Sequence, residues 1–231
     1  RLVPPPQPGG PLAAAAGLQQ ASPGTFSSTE PFMEQRNRRV DMTLGLGLAG
    51  FVLLPWYRIE EGFYAFRWLA RFPFGADEAP GLVQMVAEGR WWLAVVAALL
   101  LAAAAVRFFS PAGEARGRLL TALGVAGMGF LVLQGFAITF AGWSWTIGEA
   151  LFGPLSIGQP AMGAGAVVVG LSFLFLFSVG LAEQGVMRGD FFVIAAIALL
   201  VALVAVFVFY PVLSMFVGAV QDIDGSFEPS G

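Results

Sequence analysis

Five long stretches of the chain carry almost no charged side chain, and the charged residues collect between them. A bilayer core about 30 Å thick needs roughly 20 apolar residues of helix at about 1.5 Å each. The first stretch, Met42 to Tyr57, is the shortest and contains Gly45, Gly47 and Gly50. The second, Trp91 to Phe109, opens on paired tryptophans and closes near Arg107, the interfacial anchors expected where a helix leaves lipid. The third runs from Leu119 to Gly142, and the fourth from about Gln159 to Leu181. The fifth, Phe191 to Val217, would be about 40 Å long as a straight helix, so it must tilt, or kink near Pro211. The pattern predicts an all-α integral membrane protein with about five transmembrane helices.

Between the first two stretches lies EGFYAFRWLARFPFG, in which Phe63, Phe66 and Leu69 or Ala70 recur at helical spacing among further aromatic residues. This predicts a short amphipathic helix lying in the headgroup layer. It reads as an interfacial anchor in preference to a lid over a ligand, because aromatic side chains gather at membrane interfaces whatever the function. Residues 1–32 show no apolar period, are rich in Pro, Gly, Ala and Ser, and begin with Arg1. They are expected to be a disordered tail or upstream translation, with Met33 as a natural start. Residues 33–190 then form a four-helix membrane segment, and residues 191–231 a fifth helix and the start of an outer loop.

Arginine resists translocation, so its distribution orients the chain. Arg36, Arg38, Arg39, Arg107, Arg116, Arg118 and Arg188 fall at alternate connections, and the segment from Trp143 to Gly158 has no basic residue. The connection from Arg58 to Arg90 holds four arginines, offset by five acids, so the larger set places the N-terminus in the cytoplasm. The connections at Ser110 to Gly117 and Glu183 to Asp190 would then be short inner loops.

Composition narrows the chemistry. Apolar residues make up 57% of the chain and charged residues 12%, against roughly a quarter in soluble domains. A net charge of -3 gives no reason to expect a nucleic-acid partner. Cysteine and histidine are absent, which removes disulfides, thiol nucleophiles, imidazole ligation and every triad with a histidine base. With no lysine there is no Walker A sequence. No ionisable residue falls in the central part of a predicted span, which argues against an ion-coupled carrier. Thr121, Gln134, Thr139, Ser172 and Ser178 are the buried polar candidates; Gln134 could meet a solute, although a bond to a neighbouring helix is the commoner use. Ala122 with Ala126, and Ala166 with Gly170, are spaced to let helices approach. DIDG at Asp222 to Gly225 lacks the third ligand and distant glutamate of a calcium loop, and Ser110-Pro111 marks a turn. No catalytic, cofactor-binding or metal-ligating residue is expected.

The last forty residues carry a resemblance. Arg188, the apolar run from Phe191, the pair Tyr210-Pro211 and the turn Asp222 to Phe227 resemble the opening of a permease in the ferric-iron and thiamine branch of ABC importers. LLPWYRIEEGFY and RWLARFPF are similar to the extra N-terminal membrane segment of some long, fused members. The resemblance implies the leading membrane part of such a permease in a bacterial inner membrane. Its partners would be the lipid bilayer, an ABC ATPase subunit that hydrolyses ATP, and a periplasmic solute-binding protein, with ferric iron or a related small solute as cargo. The Glu-Ala-Ala-x-x-x-Gly motif that docks such permeases on their ATPase is missing, and GEALFGP at Gly148 to Pro154 does not fit it. The chain is therefore expected to be an N-terminal fragment. A complete five-span structural or assembly protein without its own solute path is the alternative, and an integral-membrane enzyme a third.

Overall fold

The computed structural model describes residues 30–57, 64, 66–74, 78–139, 142–143, 146–153, 155 and 162–220. Helix α1, Glu30–Leu53, ends where Pro55 pushes the residue before it, Leu54, out of helical conformation. The chain continues extended and is tied on both sides. The Trp56 N–H donates to the Ala79 carbonyl at 3.2 Å, while the Trp56 and Pro55 carbonyls accept from Gly163 and Gly165, both at 2.8 Å. Short helices α2, Trp68–Arg71, and α3, Gly81–Val86, follow. A 3-10 turn at Trp91–Leu93 leads into α4, Ala94–Phe109, and a tight turn into α5, Glu114–Ala137. A two-stranded hairpin, β1 Ile138–Thr139 against β2 Gly142–Trp143, precedes α6, Thr146–Phe152, and α7, Ala164–Glu183. Helix α8, Phe191–Val204, passes through a π-helical turn, Ala205–Phe209, into α9, Tyr210–Val220.

The protein is overwhelmingly helical, and four stretches are long and apolar enough to cross a membrane: Trp91–Phe109, Glu114–Ala137, Ala164–Glu183 and Phe191–Leu213. Helix α1 spans 24 residues but carries Glu34, Arg36, Arg38, Arg39 and Asp41 in its first half. It nevertheless packs along α7, so that α1, α4, α5 and α7 enclose one core around Val40, Leu100, Leu120, Val169, Phe173 and Leu176. Glycine sets how closely these helices lie. A Cβ at Gly124 would sit 2.6 Å from the Phe177 nitrogen and 2.7 Å from the Phe173 oxygen, so α5 meets α7 backbone to backbone.

Several expectations need correction. The third span begins at Glu114, not Leu119, and ends at Ala137, with Thr139 and Gly142 in the hairpin. The apolar run continues across this change from helix to strand, so hydropathy cannot locate it. The fourth span runs from Ala164 to Glu183. Of the expected interfacial helix, the described residues show an α-helical turn at Trp68–Arg71, and Phe66 sits at φ 55°, which interrupts a right-handed helix there; Phe63 lies outside the described residues. Ala122 and Ala126 are exposed; the close approach is made by Gly117, Gly124 and Gly127 on α5 and Gly180 on α7, while Ala166 is buried and Gly170 meets Leu131. In the fifth span the irregularity lies just before Pro211. That proline has no N–H for the Phe207 carbonyl four residues back, and the helix widens into its π turn there. Residues 1–29 and 221–231, including DIDG, lie outside the described residues, and α1 already begins at Glu30.

Candidate functional site

The helices alternate in direction, so the start of α1, the end of α4, the start of α5, the end of α7 and the start of α8 share one end of the molecule. Seven arginines collect there: Arg36, Arg38, Arg39, Arg107, Arg116, Arg118 and Arg188. Arg116 was expected in a loop, as was Glu183. Instead both lie inside helices, the connection from α4 to α5 being only Ser110–Gly113, and both side chains are buried, 1% and 3% exposed.

They form a bidentate ion pair. The Arg116 Nε donates to Glu183 Oε2 at 2.9 Å and its Nη2 donates to Oε1, while Nη1 donates to Asn37 Oδ1 at 2.8 Å. Arg36 adds a donor to the Glu183 backbone oxygen at 3.4 Å. Three helices are thus joined through one guanidinium, and its planar fork matches the carboxylate geometry. Nearby, Arg107 Nε donates to Asp41 Oδ1 at 2.7 Å and Nη2 to Oδ2 at 3.0 Å, which closes α4 onto α1. A buried pair of this kind is costly to desolvate and needs further hydrogen bonds around it; here each of the three Arg116 nitrogens has a partner.

Two cavities flank the network. One, of about 310 Å³, is lined by Asn37, Arg107, Phe108, Pro111 and Arg116. The other, of about 390 Å³, lies among α1, α7, the turn at Val186–Gly189 and the start of α8. That turn places Met187 at φ 50° and Arg188 at φ 59°, both in the left-handed region, at a cost of roughly 1–2 kcal/mol per residue.

The polar candidates scatter. Ser172 Oγ donates to the Thr43 carbonyl at 2.8 Å, joining α7 to α1, and Ser178 Oγ donates back to the Leu174 carbonyl at 2.8 Å. Thr121 Oγ1 accepts from Gln184 Nε2 at 2.8 Å. Gln134 is 4% exposed, and among the described residues neither of its side-chain polar atoms has a partner. Thr139 lies on β1. These groups do not converge; Ser172 and Thr121 serve contacts between elements, and Ser178 bonds within its own helix. Among the described residues no three His, Cys, Asp or Glu side chains come together. At the opposite end an aromatic cluster joins Trp92, Trp143 and Phe152, with ring centroids 5.1 to 5.9 Å apart, and the Trp143 indole donates to the Gly153 oxygen at 2.9 Å.

Sequence reasoning missed the Arg116–Glu183 pair because charged residues near span ends were assigned to loops. A signal was present: in adjacent antiparallel spans, an arginine at the start of one and a glutamate at the end of the next lie at the same depth. Comparison with known protein families, curated proteins and solved structures returned no match.

Proposed function

We propose that this chain is the leading membrane part of an importer permease of the ferric-iron and thiamine branch, with ATP hydrolysed by a separate subunit. In this reading α1 is a fifth span, the arginine end faces the cytoplasm, and the protein sits in a bacterial inner membrane. The observation that carries it is the resemblance from Arg188 through Tyr210-Pro211. The geometry supports it in one respect. The helix that bears the resemblance packs on α7 at its first turns, meets α5 where the Tyr210 ring lies 5.0 Å from that of Phe136, and otherwise exposes most of its length, as a helix that packs against further permease helices would. The four-helix core that closes without it favours a second reading, a structural or assembly protein with no solute path of its own.

Reconstitution in liposomes with an ABC ATPase and a solute-binding protein tests the proposal. The 231-residue chain alone should neither stimulate ATP hydrolysis nor take up ferric iron, and the same chain extended by its downstream coding sequence should do both. Uptake by the chain with the ATPase and no further membrane segment would refute it, and a stop codon directly after Gly231 would favour the second reading. Since the chain has no cysteine, a single cysteine at Glu114 in the same vesicles reports which face the arginine end occupies.

A further inference from the structure

The two cavities at the arginine end differ in how their cations are matched. In the cavity beside Pro111, Arg107 holds Asp41 and Arg116 holds Glu183. The cavity beside α8 is lined by Arg36, Arg39 and Arg188, with Glu183 as its carboxylate. Both oxygens of that carboxylate are already engaged by Arg116, and Arg36 reaches it only at 3.9 Å. Among the described residues Arg39 and Arg188 have no carboxylate within salt-bridge distance. Glu34 pairs with neither, and the Asp190 carboxylate accepts the backbone N–H groups of Phe192 and Val193 instead. The cleft therefore holds an excess of positive charge that no carboxylate among the described residues neutralises.

Arg39 is also held in place by a ring contact. Arg36 and Arg39 are three residues apart, so they share one face of α1, and the Arg39 guanidinium lies 5.4 Å from the centroid of the Phe191 ring. Arg188 enters the lining from a left-handed backbone position flanked by Gly185 and Gly189, and strain of this kind is concentrated at ligand clamps and switch regions. The cleft opens where the charged end of the bundle meets the exposed apolar side chains Phe192 and Val193 of α8, the level at which lipid headgroups lie. Guanidinium groups match phosphate oxygens in geometry as well as charge, and basic pockets between membrane helices on the cytoplasmic side recognise phosphorylated headgroups.

We propose that the cleft formed by Arg36, Arg39 and Arg188 binds a phosphate group, supplied by an anionic phospholipid headgroup or by free phosphate. The test uses the full chain purified in detergent. Native mass spectrometry counts retained phosphatidylglycerol against phosphatidylcholine, and tryptophan fluorescence follows thermal unfolding with inorganic phosphate or chloride at equal ionic strength. Selective phosphatidylglycerol retention should fall roughly tenfold for each arginine replaced in Arg39→Gln and Arg188→Gln, while Arg107→Gln leaves it unchanged. Stabilisation by inorganic phosphate with the same dependence on variants, without lipid retention, also supports the cleft and identifies free phosphate as the source. Arg188→Gln keeps the test decisive if Arg39→Gln misfolds, because the Arg188 side chain is exposed. Absence of both effects, or an equal loss in Arg107→Gln, overturns the proposal.

Discussion

Helix α7 and the helix that starts at Phe191 are both almost wholly apolar, yet one is central and the other peripheral. Over an 18-residue apolar stretch of each, 56% of α7 is buried in the protein but only 6% of the Phe191–Leu213 helix, which is the more apolar of the two. Hydrophobicity therefore does not decide which helix is enclosed. In lipid it cannot, because the acyl chains are as apolar as leucine; close backbone approach and polar contacts between helices decide instead. Helix α7 has the means for both: Gly165 and Gly180 against neighbouring backbone, Ser172 bonded to α1, and Glu183 paired with Arg116. The helix from Phe191 to Leu213 has no glycine, and Ile194 and Ala195 are its buried residues.

The largest effect comes from breaking the ion pair that secures α7. Glu183→Ala leaves the Arg116 charge buried and should destabilise the bundle by about 3–5 kcal/mol. Unfolding in detergent by tryptophan fluorescence would measure this. Adding Arg116→Met to Glu183→Leu should recover most of the loss, since an apolar pair of similar volume avoids the desolvation penalty. A Glu183→Ala protein as stable as the parent would mean that the pair contributes nothing to holding α7.

A smaller effect should follow from holding α5 away from α7. Gly124→Ala introduces a methyl group where backbone atoms of Phe173 and Phe177 already lie within 2.7 Å, and those atoms cannot swing aside as a side chain would. A loss of about 1–3 kcal/mol is expected. Gly129→Ala on the same helix, where a Cβ would meet nothing within 4 Å, is the control and should leave stability unchanged or raise it. Equal losses at the two glycines would show that helix propensity rather than close packing had been measured.

The same distinction explains what the sequence made legible. Trp91–Phe109 was found to the residue, because paired tryptophans and Arg107 mark where that stretch meets the interface. Next to Pro211, where a tilt or a kink of the last helix was expected, the structure has the π turn that precedes the proline. The end of α5 was not legible, since Ile138 to Trp143 is as apolar as the helix it follows and only backbone pairing separates them. Nor were the faces of the helices. Ala122 and Ala126 have the same spacing as a packing motif but look outward, because Gly117, Gly124 and Gly127 occupy the face toward α7. The Arg116–Glu183 pair was hidden by a rule that is sound for most charges, that they leave the membrane. Its members sit at helix ends, where the rule puts them, but point inward, where three helices supply partners.

The smallest effect is expected within α8 itself, between its packed start and its exposed later turns. Ile194 is 5% exposed and lies near the start of the helix, where Phe175 and Phe191 place their ring centroids 6.3 Å apart across α7 and α8. Leu200, two turns further on, is 64% exposed. Ile194→Ala removes buried methyl groups at a packed contact and should cost about 2 kcal/mol. Leu200→Ala removes as much apolar volume from a side chain that touches little of the protein, so the change should stay within about 0.5 kcal/mol. Unfolding of each variant, followed in the same detergent and at several protein concentrations, measures both. A Leu200→Ala loss above about 1 kcal/mol that grows with protein concentration would mean that a second copy covers the outer turns of α8. A loss of that size independent of concentration would mean that the helix packs more closely on its own bundle than its exposure indicates. In either case the peripheral status of the helix, and with it the geometric support for further permease helices packing there, would fail.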